Sequence, residues 1–246
     1  MGRTSGRDPL RHVADAMAER LAALPTHLAH RRPFLDTYRR TTLAVGGALE
    51  EGLFEDPDWV IEWDAAFADL YLRAHDADLD PTRDGVGRVP RPWRLAFDAD
   101  PDLPALRHVL LGINAHVNYD LPQALLAVIS DEDFRSPDLM AVRRRDHDRI
   151  NQVLSGRVSA EDDELAAGRG RRLVDRLLQP ANRAASRRFL REARAKVWHN
   201  TDALQIERTT GAAAYAARLA ELELLSAAKI ADLLAPGQVL LRLAVA

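Results

Sequence analysis

An imidazole and a carboxylate stand four residues apart, as His116 and Asp120, inside the apolar stretch from Leu106 to Leu125. At that spacing on a helix the two side chains share a face, one turn apart. Three chemistries suit the pair. Asp120 can orient His116 as a general acid or base; the two can be ligands of a divalent metal ion; or they form a buried structural hydrogen bond that ties helices together. Pro122, two residues further on, lacks an amide donor and crowds the carbonyl four residues back, that of Asn118. A kink is expected there, and a freed backbone group inside a core needs a partner: substrate, metal or water. Asn118 is the candidate for holding polar atoms of a substrate.

Further candidates lie at helical spacing elsewhere. Asp64, Ala68, Tyr71 and His75 form one stripe flanked by Trp63 and Phe67. Functionally, Asp64 and Tyr71 would contact substrate, and His75 would complete a metal site with His116 and Asp120. The stripe is equally an exposed seam with Tyr71 half-packed. Downstream, Arg194, Lys196, Trp198, His199 and Asn200 are helix neighbours, with Trp198 either core or a substrate contact. Asp148 and Asn151 are three apart and would face the same site, or serve as caps and surface pairs.

The motifs that are missing narrow the chemistry. No nucleophile elbow of the Gly-x-Ser-x-Gly type, no phosphate-binding Gly-x-x-x-x-Gly-Lys and no dinucleotide Gly-x-Gly-x-x-Gly occurs. The zinc-helix pattern His-Glu-x-x-His is absent too. With no cysteine, thiolate nucleophiles, disulfides and iron–sulfur clusters are excluded, and no nicotinamide or flavin signature is present. The 34 basic and 37 acidic residues are interspersed for a net charge of −3, without the basic surplus of a nucleic-acid binder. Arg143 to Arg145 and Arg169 to Arg176 are local exceptions, diluted by Asp146, Asp148 and Asp175. No apolar run reaches the ~20 residues of a membrane span. The expectation is a cytoplasmic protein with a small-molecule ligand, no membrane or nucleic-acid partner, and nothing opposed to a homo-oligomer.

The elements that must position these groups read as helices almost throughout. Asp8-Pro9 opens a helix to about Leu24, and a second begins near Pro33 and stops before Gly52. Asp56-Pro57 caps a third, Asp58 to Asp76. A loop from Asp80 to Pro92 leads to a short helix, Trp93 to Phe97. Pro104 opens the longest apolar helix, to about Ile129. A loop from Asp131 to Pro137 leads to a helix carrying Arg143 to Leu154, and helices follow over Glu161 to Leu178, Arg183 to Ile206 and Thr210 to Leu234, with Gln238 to Ala246 as coil or a docked extension. The fold class is all-α: one bundle-like domain, residues 1–246, of seven to nine helices.

Residues Trp59 to Tyr71, Trp93 to Phe97, the pair Asp148/Asn151, the element Arg194-x-x-x-Trp198 and above all Asn114-Ala115-His116-x-Asn118-x-Asp120-Leu121-Pro122 resemble a family of bacterial helical proteins. It is the domain of unknown function 5995. The resemblance spans about residues 34 to 205, leaving 1–33 and the tail 235–246 outside. It implies one helical domain and draws attention to His116, Asn118 and Asp120. It implies no activity. The functional expectation is therefore a non-redox enzyme with an interhelical pocket, carrying out hydrolysis, elimination or cyclisation centred on His116 and Asp120. The alternative is a ligand-binding or scaffold protein in which these groups are structural.

Overall fold

Proline and short polar residues punctuate the chain, and the helices begin where they say. In the computed structural model, which describes residues 9–80, 89–150, 153 and 196–235, every described regular element is helical and none is a strand. Helix α1 is Pro9–Ala23, ended by Pro25, and a 3₁₀ segment, Thr26–Arg31, leads into α2, Arg32–Glu50. Gly52 then takes φ 71°, the left-handed conformation that commonly closes a helix. Asp56 caps α3, Pro57–Leu79, by accepting the Trp59 amide at 3.0 Å. Helix α4 is Arg91–Phe97 and α5 is Ala105–Ala115. After α6, Leu121–Val128, and a 3₁₀ turn at Asp133–Arg135, α7 covers residues 137–150, with Ser136 as its cap. Helix α8 covers 196–210, and Gly211 at φ 149° turns the chain into α9, Ala212–Leu234.

One expected helix is built differently. Between α5 and α6 the five residues His116–Asp120 form a π-helical turn, closed by the Leu121 amide on the His116 carbonyl. Pro122 is the local cause: it cannot donate, and its ring crowds the turn before it, so the backbone widens there instead of bending sharply. Counting α5, the π turn and α6 as one rod gives eight helices among the described residues. The expected helix Glu161 to Leu178, residues 183–195 of the next, and the tail from Gln238 lie outside the described residues, as do Asn151 and Arg194. None of the described helices is long and apolar enough to cross a membrane.

The rod runs through the core. Leu111 and Ala115 pack with Phe34, Tyr38, Tyr71 and Trp93. Leu121 and Leu125 pack with Trp59, Trp63 and Trp198. Tyr119 and Leu126 meet Leu204 and Leu222. Leu111, Leu121 and Leu125 are each fully buried, worth about 1.5–3 kcal/mol apiece relative to exposure.

Gly112 sets how closely α2 approaches this rod. A Cβ there would lie 2.9 Å from Phe34 Cε2 and nearer still to two other ring atoms. Alanine is the better helix former by about 1 kcal/mol, but pushing back a buried aromatic ring costs about 1–3 kcal/mol. Gly112→Ala is expected to lower the urea midpoint. A midpoint equal to or above wild type would mean that Phe34 yields freely.

Candidate functional site

The π turn brings His116 and Asp120 to the same side, with His116 Nδ1 2.9 Å from Asp120 Oδ2. The same Oδ2 accepts the Trp93 indole N–H at 2.8 Å. Asp120 is thus fixed from α4 and in turn fixes the imidazole. Both side chains are buried, His116 at 3% and Asp120 at 1% exposure, so the stripe predicted from their spacing faces the core and not solvent. His116 Nε2 is also buried and has no hydrogen-bond partner within the described protein.

Aromatic rings enclose the imidazole. Phe67 stacks on it, centroids 3.5 Å apart and planes 6° from parallel. Tyr38 meets it edge-on at 4.5 Å, and Trp93, Tyr71 and Phe34 follow at 5.8, 6.0 and 6.1 Å. So apolar a shell penalises charge. Burial pushes His116 well below the ordinary imidazole range. It pushes Asp120 well above the carboxylate range, against the opposing Trp93 hydrogen bond. The state this favours is a neutral imidazole beside a neutral acid, with one hydrogen between Oδ2 and Nδ1. Tyr38 is pushed up as well, by burial first and then by the carboxyls of Asp64 and Asp120.

The other predicted residues divide. Asp64, Tyr71 and His75 are all buried, which overturns the exposed seam as a reading of their stripe. Tyr71 lends its ring to the shell, while the charges that act on it are those of Arg31, Arg20 and Asp76 at the far end. His75 Nδ1 pairs with Asp76 Oδ1 at 3.2 Å, and Asp76 is held by Arg20 of α1. Among the described residues no group of three or more histidine, aspartate or glutamate side chains is placed to hold a metal. His75, His116 and Asp120 are all described, so the three-ligand metal site does not assemble. The reason is orientation: His75 turns to Asp76 and Asp120 to Trp93. His199 is exposed.

Asn118 does not join the pair. Its Nδ2 donates to Asn114 Oδ1 at 3.1 Å, and Asn114 Nδ2 donates to the Leu110 carbonyl at 2.8 Å, an amide ladder along a different strip of the rod. Trp198 belongs to the other core cluster, where its Nε1 donates to His147 Nδ1 at 3.1 Å. Asp148 is exposed, its side chain at 72%; on that helix the buried groups are its neighbours Asp146 and His147, both at 0%. Asp146 accepts the Glu55 and Asp56 amides at 2.9 and 2.8 Å and the Arg149 guanidinium at 2.5 Å. Arg143 pairs with the α3 cap, Asp56.

Three contributors escaped the sequence reading. They are Trp93, Tyr38 and Thr42. Tyr38 and Thr42 are four apart on α2, both buried, and neither hydroxyl has a hydrogen-bond partner among the described residues. The available signal was that spacing of two hydroxyls on an otherwise apolar face.

Burial also lowers His75, against the pull of Asp76, and His108, which lies beside His30 with ring centroids 5.2 Å apart. A histidine lowered in the native state takes up its proton first in the unfolded chain. Stability from these groups is thus complete above the ordinary value of about 6.5 and is lost as pH falls below it. Asp120, raised when folded, acts in the opposite sense. With His75, His108 and His116 all lowered and together outweighing Asp120, the urea midpoint is expected to fall between about pH 7 and pH 5, and His108→Gln to flatten part of that slope. A midpoint constant over this range would contradict the assignment.

A family model described as Family of unknown function (DUF5995) matches residues 10–236, wider than the stretch from 34 to 205 over which the resemblance was legible. No curated protein and no solved structure matches the chain.

Proposed function

We propose, for a chain that belongs to this family of unknown function, that it is a non-redox enzyme of small molecules whose reacting group meets His116 Nε2. One observation carries the reading: the imidazole is anchored through Nδ1 by an acid that is itself anchored, while its other nitrogen is buried without a partner. An unpaired polar atom in a core costs about 1–3 kcal/mol, and a ligand atom is what would recover it. The π turn is a second support, since such turns are frequent at functional sites. Hydrolysis, elimination and cyclisation all use a positioned proton donor or acceptor of this kind. In this reading the substrate enters between α2, α3 and the π turn, and the acid–base version is favoured over a metal-assisted one because His75, the expected third ligand, pairs with Asp76.

A second reading has its own support. Phe67 and Tyr38 pack so closely on the imidazole that His116 also suits a structural role, holding α2, α3 and the rod together. The experiment that separates the two compares wild type with His116→Phe. A mass-spectrometric screen of metabolite mixtures seeks a compound consumed by the first and spared by the second, and both are melted in parallel. Loss of turnover at preserved stability supports the enzyme; loss of stability with no compound consumed by wild type supports the scaffold.

A further inference from the structure

We propose that Tyr38 Oη and His116 Nε2 are two hydrogen-bond donors that take the same carbonyl oxygen, so that the substrates are uncharged carbonyl compounds; this rests on the reading of His116 above and deepens it. The two groups come from separate elements, α2 and the π turn, yet their rings meet edge-on at 4.5 Å. Both polar atoms are buried and neither has a hydrogen-bond partner among the described residues. Phenylalanine would pack as Tyr38 does without burying a hydroxyl, so the hydroxyl is a cost that packing does not explain. Thr42 Oγ1, one turn along the same face, is a second buried hydroxyl without a partner among the described residues and extends the polar edge.

The protonation states make both atoms donors. Tyr38 keeps its hydrogen, pushed up by burial and by Asp64 and Asp120. With Asp120 held as a neutral acid beside a neutral imidazole, one hydrogen lies on the Oδ2–Nδ1 line and the other is on Nε2. A carbonyl oxygen has two lone pairs and can accept from both. Fixed neutral donors in an apolar shell are suited to an oxygen that gains negative charge as its carbonyl reacts. A ligand already anionic fits poorly: no cation acts on Tyr38 or Asp120 to offset its charge, and the Asp64 carboxyl opposes it. Phe34, Phe67, Tyr71 and Trp93 would face the hydrocarbon part.

The test uses acetophenone as the neutral carbonyl probe and benzoate as its anionic counterpart, with the intact protein. Bound acetophenone should show its infrared carbonyl band at lower frequency than in water-free solvent, and benzoate should not compete. Tyr38→Phe should weaken acetophenone binding about fivefold, the equivalent of one hydrogen bond of about 1 kcal/mol, and should reverse part of the band shift. Its melting temperature should equal or exceed that of wild type. An unshifted band, or one that Tyr38→Phe leaves unchanged, removes Tyr38 from the site while His116 is still judged by the turnover comparison. A Tyr38→Phe melting temperature several degrees below wild type overturns the proposal, because the hydroxyl would then be structural. Absence of saturable acetophenone binding, or tighter binding of benzoate, overturns the substrate class.

Discussion

His116→Phe is expected to lower turnover of the substrate by at least about 100-fold while leaving the protein folded. The factor is the usual contribution of a positioned proton donor or acceptor. Phenylalanine preserves the stack on Phe67 and the edge contact with Tyr38 but offers no nitrogen to a substrate. The stability side can be bounded. The substitution takes the acceptor Nδ1 from the Asp120 acid hydrogen, a cost of about 1–3 kcal/mol, and also removes the unpartnered Nε2, whose burial costs a similar amount. Asp120 retains the Trp93 N–H. The two effects nearly cancel, so a shift in melting temperature within about 3 °C is expected for a domain of this size. His116→Ala is less informative, because a cavity left beside five aromatic rings costs about 2–5 kcal/mol whatever the role of the imidazole. Wild-type turnover by His116→Phe would remove the imidazole from the mechanism. Unfolding of His116→Phe, with no substrate found for wild type, would identify the pair as structural.

The pair was legible in the sequence because its signal is local. A histidine and an aspartate four apart in a run of leucine, valine and alanine must share a buried face if the run is helical, and Pro122 marks the place where the helix cannot continue regularly. The start of α3 was legible for the same reason: Asp56-Pro57 acts through a bond spanning three residues. Tyr38 and Trp93 were illegible as site residues because what makes them so is tertiary. Nothing in the order of residues shows that α4 aims an indole N–H at a carboxylate 27 positions away. The metal reading failed on the same ground. The spacing of His75 within α3 places it on the buried stripe, but its neighbour Asp76 claims the ring. Asp148 was chosen over Asp146 on spacing to Asn151, when helical phase alone does not tell which of two aspartates two residues apart turns inward. A long-range contact with the amides of the α2–α3 connection decides that.

The same connection predicts a large loss of stability. Asp146 is fully buried and accepts two backbone amides, from Glu55 and Asp56, and the Arg149 guanidinium. Those amides belong to the segment that enters α3, and Asp56 both caps that helix and pairs with Arg143. One carboxylate therefore holds the start of the helix that delivers Asp64, Phe67 and Tyr71 to the candidate site. Asp146→Ala would leave two amides without their acceptor, while the partly exposed Arg149 guanidinium keeps its bond to Glu55. Each orphaned amide costs about 1–3 kcal/mol, and a partly exposed ion pair adds about 0–1 kcal/mol. These costs overlap, because rearrangement of the connection would let water reach some of the donors, so a net loss of about 2–4 kcal/mol is expected in urea denaturation. Asp146→Asn keeps one acceptor oxygen and the shape but introduces an amide group facing the donors, and should lie between alanine and wild type. If Asp146→Ala loses less than about 1 kcal/mol, the range for an ordinary surface position, the connection does not depend on Asp146. The register of α3 would then be set by the packing of Trp59 and Trp63 alone.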